Sequence, residues 1–331
     1  MSGWRGRHVA LIAAKVLFSL GLLGLLLWRI HFDQFMATMR DANRGWLAAA
    51  VALMLASNLL GAFQWGRLLR VVEIRIPYWK VCAYYHIGLF FNNFLPANIG
   101  GDIARVADSA RHGPTKGAAL SAVLMDRMIG TLALATLALL TTLPAVNQFH
   151  LAVIYLALVG FFLLSLLLLW AVFHPALIPA LRRALARVGL GGLGPHLSDV
   201  AVRLEGYRGR PLLYAQVFGV ALITQVSRIG VHALVARSLG LTVPFQYFLL
   251  FVPLLAVIVS LPVSLNGIGV REGAGVILFG LVGVDRAHAF SLQFTTYLVA
   301  VAVSLLGGLV FLLRIRHRRA VSRNLGRQSW S

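Results

Sequence analysis

Apolar runs of about twenty residues recur along the whole of this 331-residue chain, and nothing else limits its fold so tightly. At about 1.5 Å of rise per residue, such a run matches the roughly 30 Å hydrocarbon core of a bilayer. No water reaches backbone N–H and C=O groups there, so each run has to close its own hydrogen bonds as a helix. Hydropathy places full spans at 9–28, 46–66, 117–141, 149–173, 211–235 and 287–313. Composition agrees, with 59% hydrophobic residues, 12% charged residues and a mean hydropathy of +0.83. No polar stretch is long enough for an independent domain, so residues 1–331 are expected to form one integral membrane domain. Arg5 and Arg7 before Val9–Trp28 resemble a signal peptide. The run is as long as a span and lacks a small-x-small cleavage site, so an uncleaved first helix is the better reading.

Two regions, 78–116 and 244–286, resist assignment as plain spans. Each carries a short apolar run that breaks at Pro, Asn and Gly and ends in an acid and an arginine. The first break reads Leu95-Pro96-Ala97-Asn98-Ile99-Gly100-Gly101-Asp102-Ile103-Ala104-Arg105. The second reads Leu261-Pro262-Val263-Ser264-Leu265-Asn266-Gly267-Ile268-Gly269-Val270-Arg271-Glu272. Pro96 and Pro262 lie half a chain-length apart. Interrupted apolar segments at matching places in two halves are the sequence signature of a transporter's binding site.

Charge supplies the sidedness. With a cytoplasmic N-terminus and both broken regions returning to the side they entered, the inner segments 1–8, 67–80, 96–116, 174–210 and 314–331 hold 21 of the 30 Lys and Arg, and the outer segments hold 5. The expected fold is therefore all-α and polytopic: about six full spans plus two re-entrant helical hairpins, arranged as an inverted 3+3 repeat. Repeat one covers about 9–141 and repeat two about 149–313, with 314–331 a basic cytoplasmic tail. Eight full spans would give the same sidedness and stay an alternative. The net charge of +20 lies mostly in loops beside apolar runs, which points to orientation in a bilayer and to anionic lipid rather than nucleic acid.

Charges at membrane depth are costly and mark pathways or paired sites. Asp126 and Arg127 sit in the middle of the third span, Arg228 deep in the 211–235 span beside Gln225, Asp102 and Arg105 at the first break, and Arg271 and Glu272 at the second. An ion pair holding helices together is the alternative reading, most directly for Asp126 and Arg127. After each break, glycines open a helix start at 101–110 and 269–280, where free N–H groups and the helix dipole favour an anion. Gly100, Gly101, Gly267 and Gly269 are candidates for that role. Arg105, Arg127, Arg228 and Arg271 are candidates for phosphate contacts. Asn92, Asn93, Asn98 and Asn266 either satisfy loop backbone or bind a headgroup. Asp102, Asp126 and Glu272 are candidates for proton coupling or for a cationic group.

Other features read more plainly. Cys82 is the single cysteine and excludes an intrachain disulfide. Lys15 can snorkel from the first span. Trp28, Trp46, Trp65, Tyr78 and Trp79 fall at span ends and suggest an interfacial belt. His86 reads as a packed residue. Residues 177–187 spell an amphipathic basic helix suited to the inner leaflet.

These motifs resemble one family: the membrane domain of lysylphosphatidylglycerol synthetases, also called flippase-like or UPF0104. The resemblance is carried by Phe91-Asn92-Asn93-Phe94-Leu95-Pro96 with Gly100-Gly101-Asp102-Ile103-Ala104-Arg105, by Met125-Asp126-Arg127, and by Leu261-Pro262 with Asn266-Gly267-Ile268-Gly269-Val270-Arg271-Glu272, across about residues 10–315. It implies a multi-pass protein of the cell inner membrane, connected with lipid and using no cofactor. In bifunctional members the corresponding domain flips aminoacylated phosphatidylglycerol, whereas other relatives are linked to glycolipid, polyprenol-linked sugar or hopanoid pathways. A soluble aminoacyl-transferase domain follows the membrane part in those bifunctional enzymes. Here only Arg314–Ser331 follows, so aminoacyl transfer is not expected.

Three functions fit the sequence. The first is translocation of an anionic or aminoacylated phospholipid, or a lipid-linked headgroup, between leaflets by alternating access. The second is a membrane transferase acting on a lipid-linked sugar, with Asp33, Asp41 or the Asp102/Asp126 pair as base or metal ligands; no Asp-x-Asp pair or Walker loop supports it. The third is an accessory scaffold for a lipid-modifying synthase.

Overall fold

Side chains that bond backbone begin several of the helices. A computed structural model describes residues 36, 38–94, 100–174, 183, 187, 194–260 and 267–328. The expected span 9–28, the turns 95–99 and 261–266, and most of the basic segment 177–187 lie outside the described residues. Asn43 caps α1 (Arg44–Val71), its Oδ1 accepting the N–H groups of Gly45 and Trp46 at 2.9 and 3.2 Å. Then come α2 (Tyr78–Phe94), α3 (Gly100–Ser109) and α4 (Lys116–Thr142), the last capped by Thr115 Oγ1, which accepts the Ala118 N–H at 3.1 Å. The strongly apolar, uncharged α5 (Ala152–Val172) leads to α6 (Gly194–Glu205). Pro211 opens α7 (Pro211–Ser238), where its missing N–H costs nothing. Next are α8 (Phe245–Ser260), with Pro253 inside it, and α9 (Val270–Gly280). Asp285 Oδ1 accepts the Ala287 and His288 N–H groups at the start of α10 (Arg286–Gln328). Among the described residues there is no β-strand.

Among the described residues, five helices are long and apolar enough to cross a membrane: α1, α4 with its 3₁₀ extension to Ala145, α5, α7 and residues 286–314 of α10. They coincide with five of the six expected spans, several overrunning them by a few residues because polar ends stay helical beyond the apolar core. The protein is thus an all-helical polytopic membrane protein. The basic segment after residue 314 stays helical, α10 running on to Gln328.

The two broken regions are helical hairpins. As the chain advances along α3 and the 3₁₀ turn Ala110–His112 that follows it, its partners retreat along α2: Gly101 meets Asn92, Arg105 lies over Tyr85, and His112 reaches Tyr84. The crossing is backbone to backbone, because a Cβ on Gly101 would stand 2.2 Å from the Gly88 carbonyl oxygen. In the second region Gly267 abuts Val259, and Phe279 reaches back to Phe248 and Phe251 at 5.4 and 5.3 Å between ring centres. With 17 and 16 residues, α2 and α8 are shorter than the five long helices.

The succession repeats. Helices of 28, 17, 10 and 27 residues (α1–α4) are followed later by helices of 28, 16, 11 and 43 (α7–α10). Helices α1 and α7 pack along each other, α2 lies against α10, and α8 lies against α4. Each hairpin therefore meets the last long helix of the other half. Gly307 allows one of these contacts, since a Cβ there would lie 1.9 Å from the His86 carbonyl oxygen.

Burial divides the bundle into two apolar cores. One gathers Met54, Leu151, Ile229, Val235, Phe248, Phe251 and Phe279; the other gathers Trp65, Leu68, Ile74, Met125, Tyr207 and Val217. On α1 the first core takes Ala50 and Met54 and the second Ala62, Trp65 and Leu68. On α7 the order is reversed, with Val217 and Ala221 before Ile229 and Val235. The cores thus occupy opposite ends of the bundle, and a polar layer lies between them.

Candidate functional site

That layer is built from the middles of four long helices. Asn58 and Gln64 come from α1, Asp126, Arg127 and Thr131 from α4, Thr224, Gln225, Arg228 and His232 from α7, and Gln293, Thr296 and Tyr297 from α10. With residues 286–314 taken as the span portion of α10, each lies within about eight residues, or about 12 Å, of the middle of its span. Two adjoining cavities open there, of about 420 and 320 Å³. Leu89, Asn92, Leu134, Gln225 and Arg228 line both, so Arg228 stands at the junction.

The smaller cavity belongs to the first hairpin. Arg105 on α3 donates from Nη2 to Asp126 Oδ2 at 2.6 Å, while Gln64 Nε2 donates to Asp126 Oδ1 at 2.9 Å. The Arg105 guanidinium is also enclosed by rings, 4.4 Å from the Trp65 centre and 5.0 Å from Tyr85. Arg127 Nε donates to Asp102 Oδ2 at 2.5 Å, and Arg105 Nη1 lies 3.8 Å from Asp102 Oδ1. Asp102 and Asp126 are therefore both engaged by arginine. Asn92 holds the hairpin closed, its Oδ1 accepting the Gly101 N–H at 2.8 Å.

The larger cavity belongs to the second hairpin. Arg271 enters it from α9, with its guanidinium 5.0 Å from the Tyr297 ring centre. Asn93 lines it and donates to Ser304 Oγ at 2.6 Å, tying α2 to α10. Gly267 and Gly269 have φ of +77° and +81°, a backbone that side chains resist, which explains glycine at both positions. Glu272 is fully buried and accepts the Gly269 N–H at 2.6 Å through Oε2, capping α9. Its Oε1 has no partner among the described residues.

The sequence candidates thus divide. Asn92, Asn93, Arg105, Asp126, Arg127, Arg228 and Arg271 line the two cavities. Gly100 and Gly101 are buried at the hairpin crossing, and Asp102 and Glu272 stand behind the walls. Asn98 and Asn266 lie outside the described residues. Trp65 is a correction: it does not belong to an interfacial belt but is fully buried beneath Arg105, because α1 runs on to Val71. Trp46, Tyr78 and Trp79 are exposed at helix ends, and His86 is packed with Nδ1 against the Cys82 carbonyl at 2.9 Å. Asn58, Gln64, His232, Gln293 and Tyr297 were not among the candidates. All but Tyr297 are strongly polar side chains inside apolar runs, a signal available in the sequence. No group of three His, Cys, Asp or Glu able to hold a metal occurs among the described residues.

Comparison with known proteins places this arrangement. The chain is 24% identical over 325 residues to a UPF0104 membrane protein of Pyrococcus horikoshii, covering 90% of this chain and 95% of that one. Residues 12–308 match the family described as the lysylphosphatidylglycerol synthase TM region. By that match, which takes in both hairpins and the polar layer between the cores, the chain belongs to the lysylphosphatidylglycerol synthase TM-region family.

Proposed function

We propose that this protein is a lipid translocase of the cell inner membrane, moving a phosphate-bearing lipid headgroup between leaflets by alternating access. The observation that carries the proposal is the pair of adjoining mid-depth cavities, with arginines from both halves on their walls and Arg228 at their junction. A cationic chamber with polar walls is what a headgroup phosphate requires to leave water without a large desolvation penalty. Cavities of about 420 and 320 Å³ suit a headgroup, with the acyl chains left in the bilayer.

In this reading the hairpins are re-entrant, dipping from opposite faces, and the halves form an inverted repeat whose relative rocking exposes the chamber to each leaflet. Both termini lie in the cytoplasm, on the side where Arg67, Arg70, Arg75, Lys80, Arg203, Arg208 and Arg210 cluster at helix ends and in the loops between them. The partners are anionic membrane lipids and a lipid-modifying synthase that supplies the cargo.

The test is headgroup crossing in proteoliposomes, read by quenching of a fluorescent phosphatidylglycerol from outside. Wild-type protein is expected to speed crossing, and Arg228→Ala to slow it at least about tenfold, equivalent to about 1.4 kcal/mol in the barrier. Failure of the wild type to accelerate any phosphate-bearing lipid would remove the proposal.

A further inference from the structure

The chain contains ten acidic residues, and their placement limits what the chamber can accept. Asp33 lies outside the described residues. Asp41 and Asp285 sit at one end of the bundle, before α1 and α10. At the other end are Glu73, Asp108, Asp199 and Glu205, with Asp108 2.8 Å from Arg314 and Asp199 3.7 Å from Arg203. Three acids remain at the depth of the polar layer. Asp126 is engaged on both oxygens by Arg105 and Gln64, Asp102 is held through Oδ2 by Arg127, and Glu272 caps α9 through Oε2 alone. Neither Asp102 nor Glu272 lines a cavity. The segments 95–99 and 261–266 contain no acid by sequence.

The larger cavity therefore has the cations Arg228 and Arg271 on its walls and no carboxylate among its described lining residues. Arg228 forms no ion pair among the described residues. The remaining polar lining is neutral: Asn58, Asn92, Gln225, Gln293 and neighbouring hydroxyls. A phosphate entering here meets cations without displacing an acid. An ammonium group meets the same cations with nothing to neutralise it, and like charges brought together out of water repel strongly.

From this we infer that the cargo is a lipid whose headgroup bears phosphate and lacks an ammonium group: an anionic phospholipid or lipid phosphate, and neither an aminoacylated nor a zwitterionic one. The inference rests on the translocase reading for its biological meaning, but binding selectivity tests it separately. The full chain in detergent is titrated with short-chain phosphatidylglycerol, its lysyl ester, phosphatidylethanolamine and free glycerol phosphate, with thermal stabilisation as readout. Phosphatidylglycerol is expected to bind at least about tenfold more tightly than either amine-bearing lipid. Arg228→Ala should erase that preference and Arg228→Glu should invert it. Arg228→Lys should retain it, separating loss of charge from loss of fold. Equal or tighter binding of the amine-bearing lipids overturns the inference whether or not lipid moves in vesicles. Free glycerol phosphate binding as tightly as the lipid also overturns it, by making the ligand a soluble phosphate. Selective binding without movement in proteoliposomes upholds it and removes only the translocase reading.

Discussion

Arg105 and Arg228 share a depth but not a circumstance. Arg105 is only 8% exposed, bonded to Asp126 and enclosed by Trp65 and Tyr85, so it functions as a fixed part of the scaffold. Removing one member of such a buried pair leaves the other charge uncompensated, which costs about 3–5 kcal/mol. Asp126→Asn is accordingly expected to lower the unfolding midpoint in detergent sharply. The double change Arg105→Met with Asp126→Leu should restore much of the loss, because apolar groups of similar volume replace a buried pair at little cost. A single and a double variant of equal stability would contradict this account. Both charges were legible in the sequence as ionisable residues inside apolar runs. Their pairing with each other was not, since Asp126 has Arg127 as its neighbour in the chain yet bonds to an arginine 21 positions away. On a helix adjacent side chains point in different directions, and here they serve different partners.

At the scale of elements, the hairpins depend on the absence of side chains where backbones cross. Gly101→Ala would drive a methyl group to 2.2 Å from the Gly88 carbonyl oxygen, and Gly307→Ala would do the same to His86 at 1.9 Å. Neither neighbour is a flexible side-chain tip, so helices have to shift; each change is expected to cost about 1–3 kcal/mol and to reduce the yield of folded protein. Gly160→Ala on α5 meets nothing within 4 Å and should be neutral, which makes it the control for size-exclusion and thermal-stability measurements. The sequence revealed the breaks through Pro96, Pro262 and their glycines. The antiparallel packing of α3 on α2 was also expected, because the break at Pro96 turns the chain back on itself. Which surfaces would meet was not foreseeable, because Gly88 and Gly307 lie in unremarkable apolar text and acquire their meaning only from what packs on them. Trp65 was misread for a related reason: a tryptophan near the end of an apolar run is an interfacial anchor only where the helix itself ends.

On the scale of the whole molecule, the two halves use one plan with different chemistry. Asp102 and Glu272 both sit in the first turn of the helix that follows a break, yet Asp102 is paired with arginine whereas Glu272 caps its own helix. The proposed re-entry of the hairpins makes a prediction at this scale. With Cys82 replaced by Ser, a cysteine at Asn98 should resist a membrane-impermeant thiol reagent added outside intact cells, while one at Arg286 should react. Ready labelling of Asn98→Cys from outside would instead make α2 and α3 a pair of crossings. Element order, the five long helices and the depth of most polar residues could be taken from hydropathy. The division into two cavities, one with its acids neutralised and one lined by cations, could not, since it depends on which helices touch.

The polar layer between the two apolar cores also bears on how the molecule feels the membrane voltage. Potential falls mainly where polarisability is low, so greasy plugs at both faces would each take a share of the drop, and little would remain across the damp centre. A charge resting beside Arg228 would then stand about half-way through the field, and reaching that point would exchange about half of the roughly 2.3 kcal/mol that 100 mV exerts on a unit charge.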